Sequence, residues 1–189
     1  MQRTSEKQLN ETYGWAKVSC NIAQTYISKC RLFSENDLEF REFRQDADYR
    51  KILEGGDYSV GQMHLDRIKR NHDLGNLIDR LPEFKENDHY GGPTILNYEI
   101  VGDINPCTLL YICNALDIKQ MLGTFRPKKI VEIGGGFGGL CKTLSVLYDF
   151  EEYVLVDLPD VLALCKKYLD LFPNISKRIK YISCNYVDA

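Results

Sequence analysis

The stretches that decide the fold are residues 129–140, which read KIVEIGGGFGGL, and residues 153–159, which read YVLVDLP. The first begins as a short strand rich in β-branched residues and runs into a glycine turn, after which a helix is expected. Backbone N–H groups at such a helix start are free to bind a polar ligand. The second is an apolar strand that ends in Asp157, at the spacing where nucleotide-binding folds place the carboxylate that binds ribose hydroxyls. Together the two stretches predict a nucleotide-cofactor site.

The glycines of the turn have separate expected roles. Gly134 and Gly136 lie where the chain must reverse tightly and where a Cβ would block the approach of a ligand. Gly138 or Gly139 is expected where the new helix packs closely on the strand. The predicted cofactor-binding residues are Glu132, Gly134, Gly135, Gly136, Phe137, Gly138, Asp157 and Leu158.

The glycine string fits two cofactor patterns. Gly134, Gly136 and Gly139 satisfy the GxGxxG of dinucleotide-binding folds. Gly134, Gly136 and Gly138, preceded by Glu132, fit the acid-x-Gly-x-Gly-x-Gly pattern of class I S-adenosylmethionine methyltransferases. Glu132 favours the second pattern, because a carboxylate at that strand end would repel a pyrophosphate, whereas S-adenosylmethionine carries a sulfonium and an ammonium group. S-adenosylmethionine is therefore the predicted cofactor.

A longer set of motifs, covering roughly residues 90 to 185, resembles the bacterial sugar O-methyltransferase family. The segments that carry the resemblance are Gly91 to Pro93, Ile104 to Tyr111, Ile130 to Gly139, Asp157 to Val161 and Lys166 to Leu169. The resemblance implies an O-methyltransferase that acts on a sugar or glycan precursor, and it implies that Thr108 and Tyr111 reach the amino-acid end of the cofactor. Two positions depart from the family pattern: Gly92 stands for the usual Asn, and Leu110 stands for the usual Arg.

The chain before the glycine turn is expected to be a helical layer. Helices are predicted over Leu9 to about Cys30, Leu38 to Leu53, Gln62 to Ile78, and Thr108 to Gly123. Pro106 suits the first position of the last of these helices. Loops are expected around Leu81-Pro82 and from Asn87 to Pro93, and no strand-like alternation precedes Tyr98.

The last part of the chain alternates between strands and helices. The strands are predicted over Ile130 to Ile133, Tyr153 to Val156 and Arg178 to Ser183, with helices over Gly139 to Tyr148 and Asp160 to Phe172. The predicted fold class is α/β: a helical N-terminal, substrate-side region (1–124) followed by the first half of a doubly wound, Rossmann-like methyltransferase sheet (125–189).

The sheet is expected to stop after its third strand, which would leave the chain with one wall of its cofactor cleft. Such a truncated chain would bind the cofactor weakly. It is also expected to self-associate through the unpaired edge of the first strand.

Composition excludes several function classes. The formal charge of −3 and the pI near 5.7 give no reason to expect a nucleic-acid surface. The sequence contains no apolar run long enough for a transmembrane helix and begins without a signal peptide, so a cytoplasmic location without membrane insertion is expected. The seven cysteines are scattered without any CxxC pair, and we interpret them as reduced core residues. No metal site is predicted.

No residue is assigned as catalytic, because His64, His72 and His89 all lie in the helical region or in the loop that leaves it. The leading hypothesis is an S-adenosylmethionine-dependent O-methyltransferase, or a fragment of one. An NAD-dependent oxidoreductase and a non-catalytic remnant or interaction module remain the alternatives.

Overall fold

The chain folds as a helical region followed by a small parallel sheet, which makes it a mixed α/β protein. The computed structural model describes residues 22–54 and 56–184, without the side chain of Asn76. The helices are α1 (described over 22–35), α2 (Asp37–Phe40), α3 (Ala47–Arg50), α4 (Tyr58–Asn71), α5 (Leu74–Lys85), α6 (Pro106–Leu122), α7 (Gly139–Leu147), α8 (Pro159–Leu169) and α9 (Pro173–Ser176). The strands are β1 (Leu96–Tyr98), β2 (Gly102–Ile104), β3 (Lys129–Ile133), β4 (Glu152–Asp157) and β5 (Ile179–Ser183).

The predicted alternation of strands and helices after residue 125 is confirmed. Strands β3, β4 and β5 and helix α7 lie within a residue or two of their predicted bounds. The helix predicted over Asp160 to Phe172 ends earlier, at Leu169, and the short helix α9 follows it. Pro106 occupies the first turn of α6 as expected, and Asn105 caps this helix by accepting hydrogen bonds from the backbone N–H groups of Cys107 and Thr108.

Three expectations in the first part of the chain are wrong. The helix predicted over Gln62 to Ile78 is two helices. The Asp73 side chain accepts a hydrogen bond from the Gly75 N–H and so caps a second helix, which begins at Leu74. The loop expected around Leu81-Pro82 is helical, since the buried side chains of Leu77, Leu81 and Phe84 hold α5 in place around Pro82. The hairpin of β1 and β2 was not predicted, because strands of three residues are too short to show alternation. Of the helix expected from Leu9 to Cys30, residues 9–21 lie outside the described residues.

The parallel sheet has the strand order β3-β4-β5. Exposure alternates along β3, where Ile130 and Glu132 are partly covered, whereas Val131 and Ile133 are 64% and 83% exposed. Ile182 of β5 lies on the same face as these two exposed residues and is 41% exposed. Among the described residues the helices therefore cover one face of the sheet and leave an apolar strip on the other.

The covered face belongs to a hydrophobic cluster that both regions of the chain build together. Phe33, Phe43 and Tyr49 from the helical region pack in one cluster with Leu155 of β4 and Tyr168 of α8. Five of the six described cysteines are buried and free, as expected, whereas Cys184 is exposed. The helical region is thus packed directly against the sheet's helices.

Arg44 is the centre of a buried polar network that fixes this packing. Its guanidinium donates to Glu54 Oε1 at 2.8 Å, to the Asn87 carbonyl at 2.7 Å and to Asn105 Oδ1 at 3.2 Å. Asp88 Oδ1 lies 3.8 Å from the same guanidinium. The side chain of Arg44 is fully buried. It therefore links its own segment to three others, at Glu54, at Asn87 and Asp88, and at Asn105.

Replacing Arg44 with Leu should destabilise the fold by about 3–5 kcal/mol, because it leaves the buried carboxylates of Glu54 and Asp88 without their cation. Urea denaturation would measure this change. Arg31→Gln is the matched control, since Arg31 pairs with Asp160 at the exposed surface and its loss should hardly move the unfolding midpoint. Equal midpoints for Arg44→Leu and the parent chain would contradict this role.

The chain should self-associate through β3. This strand has no neighbour on its outer edge among the described residues, and it also carries two residues of the exposed apolar strip, Val131 and Ile133. Ile133→Lys should reduce this association by placing a charge in the strip. Light scattering over a concentration series measures the effect, with Met121→Lys on α6 as a control of similar exposure. Concentration-independent mass for the parent chain would show that the strip recruits no second copy.

Candidate functional site

The glycine turn between β3 and α7 has the backbone conformation that its sequence predicts. Gly134, Gly136 and Gly138 have φ angles of 78°, 54° and 96°, all in the left-handed region that favours glycine. The Gly134 N–H donates to the Val156 carbonyl at 2.9 Å, which ties the turn to β4. A Cβ added to Gly134 would have nothing within 4 Å, so the turn is open on that side.

The other glycines are needed because neighbouring side chains press against the turn. A Cβ on Gly136 would lie 3.0 Å from Leu53 Cδ1, and one on Gly138 would lie 2.8 Å from Leu169 Cδ1. A Cβ on Gly139 would overlap the ring of Tyr111. At Gly138 and Gly139 the start of α7 thus packs against α8 and α6, where packing on the strand was expected, and it is Gly135 whose added Cβ would overlap Leu155 of β4.

Asp157 lies beside the turn, as the sequence predicts. Its Oδ2 accepts from the Gly136 N–H at 3.2 Å and its Oδ1 accepts from the Leu158 N–H at 2.7 Å. The carboxylate therefore joins the glycine turn to the start of α8, while its remaining lone pairs are available to a ligand. Leu158 occupies the N-cap position of α8, and it is the backbone N–H of this residue that donates to Asp157.

Glu132 lies near the end of β3, directly under the turn. Tyr153 Oη donates to Glu132 Oε2 at 2.7 Å. Burial raises the pKa of Glu132 to about 7, with the negative charge of Asp157 adding to the rise and the Tyr153 hydrogen bond opposing it. A carboxyl group whose pKa is near neutral is thus held next to the glycine turn.

Phe137 contributes to the turn in a different way from the other predicted site residues. Its side chain is fully buried, and its ring packs on Phe43, Tyr111 and Tyr168 with centroids 4.9–5.9 Å apart. The Arg44 guanidinium lies 4.9 Å from the same ring. The whole residue is 0% exposed, so Phe137 anchors the turn to the core and offers no accessible surface to a ligand.

The three histidines lie at other places. His72 Nε2 is 2.9 Å from Asp117 Oδ1 on α6, and His64 lines a small cavity of about 210 Å³ beside Leu110. His89 lines a cavity of about 460 Å³ with Lys142 of α7 and Phe172, next to α9. Because α9 precedes β5, this cavity lies toward the amino ends of the strands, whereas the glycine turn lies at their carboxyl ends.

Of the two residues that the resemblance assigns to the cofactor, only Tyr111 lies at the turn, next to Gly139. Thr108 donates to Asp88 Oδ1 at 2.6 Å and accepts from Asn87, and is therefore part of the Arg44 network.

Four residues that sequence reasoning missed approach this site from the helical region. Burial raises the pKa of the Tyr26 phenol on α1, and the negative charge of Asp157 adds to the rise. Leu53 contacts the turn at Gly136, which brings the next residue, Glu54, to the same side. Tyr49 packs on Tyr26 with ring centroids 5.8 Å apart. No local motif marks these residues, because they meet only through the tertiary fold.

The described residues hold neither a metal-binding cluster nor a membrane-spanning helix. They contain no group of three or more His, Cys, Asp or Glu side chains placed to hold a metal ion. No helix among them has the length and apolar character to cross a membrane.

Comparisons with known proteins add no family. No protein-family model matches the chain, and no curated protein matches it either. A function for the site must therefore be argued from its geometry and from the motifs quoted above.

Glu132→Gln should make stability less dependent on pH. Between the ordinary pKa of 4.5 and the folded-state pKa of about 7, the folded chain keeps a proton that the unfolded chain has lost. Stability of the parent chain should therefore fall as pH rises through this window, and the variant should lack that fall. Urea unfolding free energies at about pH 5 and about pH 8 measure the difference.

Tyr153→Phe is the companion variant, because it removes the hydrogen bond that favours the ionised carboxylate. Without that hydrogen bond the pKa of Glu132 should be higher in the folded variant, so the free energy of unfolding should continue to fall up to a higher pH than in the parent chain. Parallel pH profiles for Glu132→Gln and the parent chain would show that Glu132 titrates normally.

Proposed function

We propose that the glycine turn binds S-adenosylmethionine and that the chain is an O-methyltransferase, or part of one. The observation that carries the proposal is the convergence of Glu132 and Asp157 beside an open turn of positive-φ glycines. Gly134 leaves room for a ligand to approach the backbone, and the ends of β3 and β4 supply the two carboxylates.

The charge of the site favours this cofactor over a dinucleotide. A pyrophosphate beside Glu132 and Asp157 would be repelled or would force Glu132 to stay protonated. The sulfonium and ammonium groups of S-adenosylmethionine would instead be attracted, and they would favour the ionised form of Glu132. Asp157 is placed to accept from ribose hydroxyls, as acidic residues do at this position in nucleotide-binding folds.

The fold of residues 125–184 supports the same proposal. A parallel sheet in the order β3-β4-β5 with a glycine turn after its first strand is what the first half of a Rossmann-like methyltransferase sheet would contain. Ligands of open α/β sheets bind outside the carboxyl ends of the strands, which is where Glu132, Asp157 and the turn meet.

The reaction follows from the cofactor's chemistry. Bound S-adenosylmethionine supplies an electrophilic methyl group, and the chain's task is to hold an acceptor oxygen in line with it. We infer a sugar or glycan hydroxyl as the acceptor because the motifs around residues 91–111 resemble the sugar O-methyltransferase family. Leu110 replaces the family's usual Arg, so any contact made by that Arg must come from elsewhere in this chain.

Proton release on binding separates this proposal from an NAD-dependent oxidoreductase. Titrating the chain with S-adenosylmethionine near pH 7 should release protons, because a cationic ligand lowers the pKa of Glu132. Calorimetry in buffers of different ionisation enthalpy measures this release, and NAD serves as the competing ligand. NAD binding with proton uptake would favour the oxidoreductase, whereas binding of neither ligand would favour a non-catalytic module.

Asp157→Ala should weaken binding of S-adenosylhomocysteine by about 1–3 kcal/mol, because ribose hydroxyls lose their acceptor. Asp157→Asn is the intermediate variant, since it removes the charge but keeps one oxygen that can accept from the Leu158 N–H, whereas its amide nitrogen cannot accept from the Gly136 N–H. The expected order of affinity is parent, Asn, Ala. Unchanged affinity for the Ala variant would exclude ribose binding at this strand end.

A further inference from the structure

Two buried polar atoms near the glycine turn have no hydrogen-bond partner. They are Glu54 Oε2 and the hydroxyl of Tyr49. The Glu54 side chain is 1% exposed, and its other oxygen accepts from Arg44 Nε at 2.8 Å. Unpaired buried polar atoms are costly, so atoms of this kind in a folded protein point to a partner that is absent when the chain is alone.

Both atoms lie on the side of the cradle that faces the helical region. Leu53, the neighbour of Glu54, contacts the turn at Gly136. The Tyr49 hydroxyl is close enough to Tyr26, Tyr111 and Glu54 for their charges to raise the pKa of its phenol, although burial is the main cause. Since Tyr111 contacts Gly139, these polar groups surround the beginning of α7.

The local charge favours a cation. Glu54 and Asp88 share Arg44, and Glu132 and Asp157 lie at the strand ends. Burial raises the pKa of both Glu54 and Asp88, although Arg44 opposes the shift, and Lys85 also acts on Asp88. With four carboxylates against Arg44 and Lys85, a third positive charge would be stabilised here.

We propose that Glu54 and Tyr49 bind the α-ammonium group of the cofactor's amino-acid end. The inference rests on the proposed function, because it is S-adenosylmethionine that carries an ammonium on a short chain from its ribose. With the ribose at Asp157, the amino-acid end extends past the turn toward Leu53 and Glu54. The ammonium donates to Glu54 Oε2 and to the Tyr49 hydroxyl, which gives both unpaired atoms a partner.

The buried position of Glu54 has a kinetic consequence. Because its carboxylate is covered in the ligand-free chain, the segment that follows Leu53 must move before the ammonium reaches it. Association should therefore be slower than for a ligand that lacks the amino-acid end.

The test compares S-adenosylhomocysteine with 5′-methylthioadenosine, which has the same nucleoside without the amino-acid end. Glu54→Gln should weaken binding of S-adenosylhomocysteine roughly tenfold or more and change binding of methylthioadenosine by less than about twofold. Asp88→Asn is the matched control, since both Asp88 oxygens already accept hydrogen bonds, from Thr108 and from the Asn105 N–H. It should affect S-adenosylhomocysteine much less than Glu54→Gln does.

Tyr49→Phe keeps the test decisive if the Glu54 variant fails to fold. Removing an unpaired buried hydroxyl should not destabilise the chain, yet it should weaken S-adenosylhomocysteine binding while leaving methylthioadenosine unaffected. Equal effects on both ligands, or none on either, would overturn this inference and leave the proposed cofactor intact. If the parent chain binds neither ligand, the proposed function fails and this inference with it.

Discussion

The structure depends on the burial of one guanidinium. Arg44 donates to three different segments and lies against the ring of Phe137, the residue in the middle of the glycine turn. Tyr168 of α8 completes the network by donating to the Asn87 side chain. The helical region is therefore not an appendage of the sheet, because the ion cluster at its centre also sets where the turn lies.

This arrangement explains why the turn can stay open. A glycine-rich loop would lose much conformational entropy on folding, and no atom lies within 4 Å of the place where a Gly134 Cβ would be. The turn is held instead by Phe137 in the core, by the hydrogen bond from Gly134 to β4 and by the Asp157 carboxylate. The space next to Gly134 is thus kept free without a contact that a ligand would have to displace.

Local sequence predicted the sheet, its two helices and the glycine turn, because each depends on residues close together in the chain. The β-branched run of β3, the glycines after it and the acid at the end of β4 are short-range signals. The helical region was less predictable. Pro82 inside α5 and the break at Asp73 are decided by which side chains the core buries, and periodicity alone does not reveal this.

Only the residues that the sheet and its glycine turn contribute to the site could be predicted from the sequence. Glu132, Asp157 and the glycines follow a pattern of fixed spacing, whereas Leu53 contacts the turn from a segment about 80 residues earlier in the chain. Phe137 was correctly placed in the turn, but its burial depends on Phe43 and Tyr168, which no spacing rule connects to it.

The same buried charges that organise the fold also limit its stability. Glu54, Asp88 and Glu132 all have raised pKa values because burial disfavours their ionised forms, so the folded chain carries an electrostatic cost near neutral pH. A bound cation would lower that cost, and by linkage its binding energy would add to the stability of the fold. A folded chain that carries this electrostatic cost is stabilised more by binding a cationic ligand than by binding a neutral or anionic one. Fold stability and the proposed preference for a cationic ligand would therefore have a common physical origin in the acids near Arg44 and the glycine turn.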